Sequence, residues 1–204
     1  MKTVYLHADE PGAIARAAML LGEAQLVVFP TDTLYGVGAD PFNPVAIERL
    51  YEAKGRSLDK GIPILLADLH DLDKVVRAKP APTQGLIERF WPGPLTLILP
   101  RRSGLPANIS PNENIAVRIP ESEVARAVIR AAGGAVATSS ANRSGEPGAR
   151  SAGEALSALG GIVAAIVDGG PVEHGAASTI VDCTVTPPRI LRPGPLTAED
   201  LGLS

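Results

Sequence analysis

The chain has 204 residues, 45% of them hydrophobic and 20% charged, which suits one α/β domain with a sizeable core. Its net charge of -3 gives no global electrostatic basis for tight nucleic-acid binding. A single cysteine, Cys183, excludes an internal disulfide and a four-thiolate zinc site, and His7, His70 and His174 lack ligand spacing, so no structural metal is expected.

The opening MKTVYLHADE has no apolar signal region, and no apolar run reaches spanning length, which predicts a cytoplasmic protein without membrane contact. Residues 3–6 read as a strand. A helix follows over 11–21, with Asp9 as its cap and Gly22 at its end. Residues 25–29 form an apolar strand that Pro30 stops. A second helix covers 44–53, with Asn43 as N-cap and Gly55 just beyond. A strand at 62–67 precedes helices at 71–77 and 83–90, which a KPAP turn separates. Strands at 95–99 and 115–119 lead to a helix at 121–132 closed by a glycine pair. The strand at 135–138 feeds a polar loop, SSANRSGEPGAR. A capping box, Ser151 to Glu154, opens a helix at 151–159. Strands at 162–167, 179–182 and 190–191 complete the pattern. These short strands and six helices without a regular βα repeat predict a single α/β domain, residues 1–204, around a twisted mixed sheet flanked by helices.

Phosphate-loop, nucleophile-elbow, HExxH and CxxC motifs are absent, and GVGAD at 36–40 lacks the third glycine of a dinucleotide fingerprint. Chemistry must come from scattered groups. Lys54 leaves its helix on the apolar stripe of Ile47, Leu50 and Tyr51, and Arg56 and Lys60 follow within seven residues. These cations either form an anion site or satisfy the helix C-terminus. In the loop beginning Ser139, Ser140, Ala141, Asn142, the hydroxyls and amide either bind phosphate oxygens or make local turns. Thr31, Asp32 and Thr33 sit at the carboxyl end of a strand, where α/β sheets bind ligands, or they close a Ser/Thr turn. Arg118 and Arg192 end apolar runs and suit a bidentate grip on carboxylate or phosphate. Trp91 reads as packing, Arg101 and Arg102 as a solvated pair, and Asp168 and Asp182 as carboxylates that no spacing pairs. Together the cations and hydroxyls fit a polyanionic ligand plus a small polar one.

The stretches PTDTLYGVG, KGR with KGIPILL, FWPGPLTLIL, AVRIP, TSSANRSG, STIVD and ILRPG, in this order over about residues 25 to 194, resemble the YrdC-like family of threonylcarbamoyl-AMP synthases. That resemblance implies a YrdC-like single domain with a positively charged concave face. It implies an enzyme, a nucleotidyltransferase, that joins L-threonine, bicarbonate and ATP, brought with Mg²⁺, into threonylcarbamoyl-AMP and pyrophosphate. A downstream tRNA threonylcarbamoyl-transferase complex then modifies adenosine 37 of tRNA, and contact with tRNA or double-stranded RNA is a further partner to consider. The family's Lys-x-Arg and Ser-x-Asn pairs fall on Lys54, Arg56, Ser140 and Asn142. The resemblance assigns Thr31, Arg118, Thr138 and Ser178 to threonine, and Arg56, Lys60, Asn114, Ser140, Gly148 and Arg192 to ATP. Where many members read RPxxNPL this chain reads RSLDKGIPIL, and Leu65 stands where some carry a threonine-contacting histidine. The sequence stops at Ser204, without the C-terminal domain of longer members, so closure over the site is expected from elsewhere. Two alternatives are a YciO-type paralogue of different or weak activity and a non-catalytic double-stranded RNA-binding module.

Overall fold

The computed structural model describes residues 2–55, 57, 60–172 and 175–203. Its strands are β1 (Val4–His7), β2 (Val27–Pro30), β3 (Tyr35–Ala39), β4 (Ile64–Leu66), β5 (Leu95–Pro100), β6 (Asn114–Arg118), β7 (Ala135–Ser140), β8 (Ala165–Asp168), β9 (Thr179–Asp182) and β10 (Arg189–Arg192). They form one mixed sheet in the order β1-β8-β2-β3-β7-β4-β6-β5-β9-β10. The α-helices are α1 (Ala13–Gly22), α2 (Pro44–Lys54), α3 (Ala81–Phe90), α4 (Glu123–Ala131), α5 (Ala152–Leu159) and α6 (Ala198–Leu201).

Alternation along the strands sorts the core into two layers, because successive side chains point to opposite faces. Val28, Val37, Ala137, Val117 and Leu97 join residues of α2, α3 and α5 on one face. Val27, Phe29, Leu65 and Val136 meet α1 and α4 on the other.

The capping signals of α2 operate as the sequence predicts. The Asn43 side chain accepts from the N–H groups of Val45 and Ala46, and Gly55 turns the chain with φ 57. Three expectations need correction. Asp9 does not cap α1, whose N-cap is Gly12 with no side-chain bond. The helix expected at 71–77 is a 3-10 segment, Leu69–Lys74, opened by an Asp68–Asp71 capping box. At α5 only half of the box forms: Ser151 Oγ accepts from Glu154 N–H, but the Glu154 carboxylate takes the Arg150 N–H instead.

Sequence reasoning missed β3, because two glycines in YGVGA depress strand propensity. Gly36 is required by close approach: a Cβ there would lie 2.6 Å from Thr138 Cγ2 on the paired strand. The helix α6 was also not anticipated; it is a single short turn region held by a Thr197–Asp200 capping box.

Candidate active site

The layer containing α1 and α4 covers only part of its face. These helices pack on β8, β2, β7 and β4. Beyond them the same face of β6, β5, β9 and β10 floors a cleft of about 460 Å³. Alternation decides which side chains reach it. Asn114, Ala116 and Arg118 come from β6, Thr96 and Ile98 from β5, Ile180 and Asp182 from β9, and Thr138 and Ser140 from β7. Register places Ile98 opposite both Ala116 and Asp182, which makes an apolar floor between polar ends.

At one end the β2–β3 connection carries Thr31, Asp32 and Thr33. The Thr31 hydroxyl donates to the Leu34 carbonyl at 2.7 Å and accepts from the Leu34 N–H at 3.2 Å, so it closes a Ser/Thr turn while lining the cleft. Arg118 is 5% exposed. Its Nε donates to the Gly93 carbonyl at 2.8 Å, its Nη1 to Thr33 Oγ1 at 2.9 Å, and its Nη2 to Asp32 Oδ1 at 2.6 Å. Burial lowers the Arg118 pKa from its ordinary value, and the Asp32 carboxylate opposes that shift. Among the described residues, three of the five N–H donors of the guanidinium are thereby engaged.

Thr138 and Ser178 complete this end. Thr138 Oγ1 donates to the Val136 carbonyl at 3.1 Å. The Ser178 and Thr96 hydroxyls lie 2.7 Å apart, and Arg192 Nη2 donates to Ser178 Oγ at 3.0 Å and to its carbonyl at 2.8 Å. Arg192 therefore reaches the cleft from the edge strand β10, anchored through Ser178.

The structure brings Lys54, Ser140 and Asn142 together. Lys54, 4% exposed, donates from Nζ to the carbonyls of Ser140 and Asn142 and, at 2.9 Å, to Asn142 Oδ1. Asn142 Nδ2 donates to the carbonyls of Arg143 at 2.8 Å and Glu146 at 2.6 Å. Of the three residues only Ser140 lines the cleft. Lys54 and Asn142 shape the loop that presents it. Arg56 lies outside the described residues.

The other nucleotide assignments divide. Asn114 and Arg192 line the cleft. Gly148 does not, yet it backs the wall: a Cβ at 148 would lie 2.6 Å from Leu34 Cδ1, and Leu34 does line it. Lys60 is exposed, and its carbonyl accepts from the Tyr51 hydroxyl at 3.1 Å.

Sequence reasoning gave no role to Thr96 or Asn112 and left Asp182 unassigned; all three line the cleft, as do Thr33, which it had placed with Thr31 at a ligand-binding strand end, and Leu65. The alternation in LTLIL, with a single Thr among aliphatics, was the available signal for Thr96. Asp168 and Asp182 are not a pair. Asp168 accepts from the Tyr5 hydroxyl at 2.6 Å and from the Gly170 N–H at 2.9 Å, whereas Asp182 faces the cleft. His70 does meet carboxylates, Asp68 and Asp71. Asp68 is bound by Arg126 and Arg130 and Asp71 by Lys74, so both are already neutralised. Trp91 packs against the core as expected, donating from Nε1 to the Leu95 carbonyl at 2.7 Å.

A family model covering Sua5, YciO and YrdC, described as telomere recombination, matches residues 19–194. The threonylcarbamoyl-AMP synthase of Bacillus subtilis is 42% identical over 193 residues, covering 92% of this chain and 55% of that protein. The synthase of Pyrococcus abyssi is 39% identical, covering 94% of this chain and 57% of that one. The chain thus spans little more than half the length of these two relatives. Among solved structures, P. abyssi Sua5 complexed with L-threonine superposes with a TM-score of 0.93 at 37% identity, over 98% of this chain and 60% of that chain. Escherichia coli YciO matches with a TM-score of 0.86 over 98% of both chains, and at 23% identity it shares the fold alone.

Proposed function

The chain belongs to the Sua5, YciO and YrdC family, and on that premise we propose that it is a nucleotidyltransferase forming threonylcarbamoyl-AMP from L-threonine, bicarbonate and ATP. The observation that carries this reading is the Arg118 end of the cleft. A buried guanidinium with two donors uncommitted among the described residues, in a cleft also lined by the hydroxyl residues Thr31, Thr33, Thr138 and Ser178, suits a small amino acid that has a hydroxyl of its own. The apolar floor of Ile98, Ala116 and Ile180, flanked by Asn114 and Asp182, suits a nucleobase, and Ser140 and Arg192 suit its phosphates. The P. abyssi relative was crystallised with L-threonine.

In this reading Arg118 holds the threonine carboxylate and leaves the amine directed along the cleft. The amine nitrogen attacks the bicarbonate carbon, and loss of water gives a carbamate. A carbamate oxygen attacks the α-phosphorus of ATP, the bond to the bridging oxygen breaks, and pyrophosphate departs with the electron pair. ATP as its magnesium salt is the substrate. The protein supplies position and fixed dipoles where charge gathers on the phosphoryl oxygens, and no protein nucleophile is required. Arg56 and Lys60 extend the nucleotide site. Lys54 and Asn142 act by fixing the loop that carries Ser140. The product passes in the cytoplasm to a tRNA threonylcarbamoyl-transferase complex. No helix among the described residues is long and apolar enough to cross a membrane.

Pyrophosphate release tests the proposal. With ATP and bicarbonate present, release is expected only when L-threonine is added. Release that ignores threonine points to a paralogous activity on the same fold and overturns the reading.

A further inference from the structure

Asp32 does not line the cleft, yet it is joined to the residue that matters most there. Its side chain is 9% exposed. Oδ1 accepts from Arg118 Nη2 at 2.6 Å and from the Glu121 N–H at 3.1 Å. Oδ2 is buried and has no hydrogen-bond partner among the described residues. An orphaned carboxylate oxygen is costly. An asparagine could accept the same two donors through its own Oδ1, so what aspartate adds at this position is charge.

That charge has a specific use in a cleft that must sort two anionic groups. A buried guanidinium without a counterion grips phosphate as readily as carboxylate. In a site visited by a triphosphate, it would draw the phosphates to the amino-acid end. Beside Asp32 the pair is formally neutral. A zwitterionic amino acid, also neutral overall, can use the two remaining donors of Arg118, whereas a polyphosphate meets the field of Asp32. The three fixed bonds to Gly93, Thr33 and Asp32 also hold the guanidinium in one orientation. We propose that Asp32 is a positioning and specificity residue: it orients Arg118 toward the cleft and prevents a phosphate group from occupying the amino-acid end. This rests on the reading above, in which Arg118 holds the threonine carboxylate.

Asp32→Asn removes the charge and keeps the acceptor. At saturating ATP its apparent KM for L-threonine is expected to rise about tenfold, because a phosphate group now competes for Arg118, with kcat at saturating threonine nearly unchanged. Pyrophosphate is expected to compete with ATP in the unaltered protein, and in this variant it should compete with threonine as well. Thr33→Val supplies the contrast: it removes an Arg118 contact but leaves the charge, so threonine KM should rise without the new competition. Calorimetry of pyrophosphate binding with and without threonine reads the same exchange without turnover, so it still tests Asp32 if the unaltered protein forms no adenylate, an outcome that would overturn only the proposed reaction. A threonine KM unmoved in Asp32→Asn, with pyrophosphate and threonine binding independently, overturns the inference.

Discussion

Lys54 offers the sharpest separation between building a site and touching its substrate. Lys54→Met keeps most of the apolar stem and removes the ammonium. The carbonyls of Ser140 and Asn142 and the side-chain oxygen of Asn142 then lose this donor. Hydrogen bonds to a charged group contribute about 1.5–3 kcal/mol each, and a stranded buried acceptor costs about 1–3 kcal/mol. These terms overlap, and water can reach the half-buried Ser140, so a total of about 3–5 kcal/mol is expected, the range for breaking a buried charged contact. For a domain of this size each kcal/mol moves the unfolding midpoint by about 2–4 °C. Thermal unfolding followed by circular dichroism should therefore show a fall of roughly 6–20 °C. If Lys54 served only to meet a phosphate, removing its buried charge would leave the midpoint unchanged or raised while abolishing turnover. That result would refute the scaffold role.

Four further outcomes are expected. Asp68 is held well below the usual carboxylate range by Arg130 and Arg126. Its stabilising contribution is thus full above about pH 3.9, the unfolded value, and fades as pH falls toward the folded one. Asp68→Asn should lower the midpoint by a few degrees at pH 7, about what 1 kcal/mol moves such a domain, with the gap to the unaltered protein narrowing toward pH 2 in parallel melts. Burial pushes the Cys183 thiol up to about 11, so iodoacetamide should leave the native protein unlabelled at pH 8 and label it fully in urea, as judged by mass spectrometry. Gly36→Ala forces a Cβ onto Thr138; overpacking of this kind costs about 1–3 kcal/mol, and calorimetry should show threonine affinity falling with it. Arg118→Gln leaves Asp32 buried without its cation; a loss of about 3–5 kcal/mol in stability should accompany the loss of threonine binding.

The sequence made much of the fold legible because strand alternation, the Asn43 and Gly55 caps of α2 and the proline stops are local signals. The strand β3 escaped because its two glycines serve contacts with neighbouring strands, a reason visible only after pairing. Site residues divide the same way. Thr31, Arg118 and Arg192 stood out as polar groups at strand ends. Asp32 was read only as a neighbour of Thr31 because its partner lies 86 positions away. The role of Lys54 was hidden for a different reason: a lysine on an apolar stripe announces burial but not what its ammonium meets, and the loop carbonyls it holds are 86 and 88 positions distant.

The most direct measurement is mass spectrometry of a quenched reaction run with ¹³C-bicarbonate, L-threonine and ATP. A nucleotide uniting AMP, threonine and one labelled carbon is the expected product, and it should vanish when threonine is omitted or Arg118 is replaced. A protein that folds and binds ATP yet yields only unmodified nucleotide under these conditions would contradict the account.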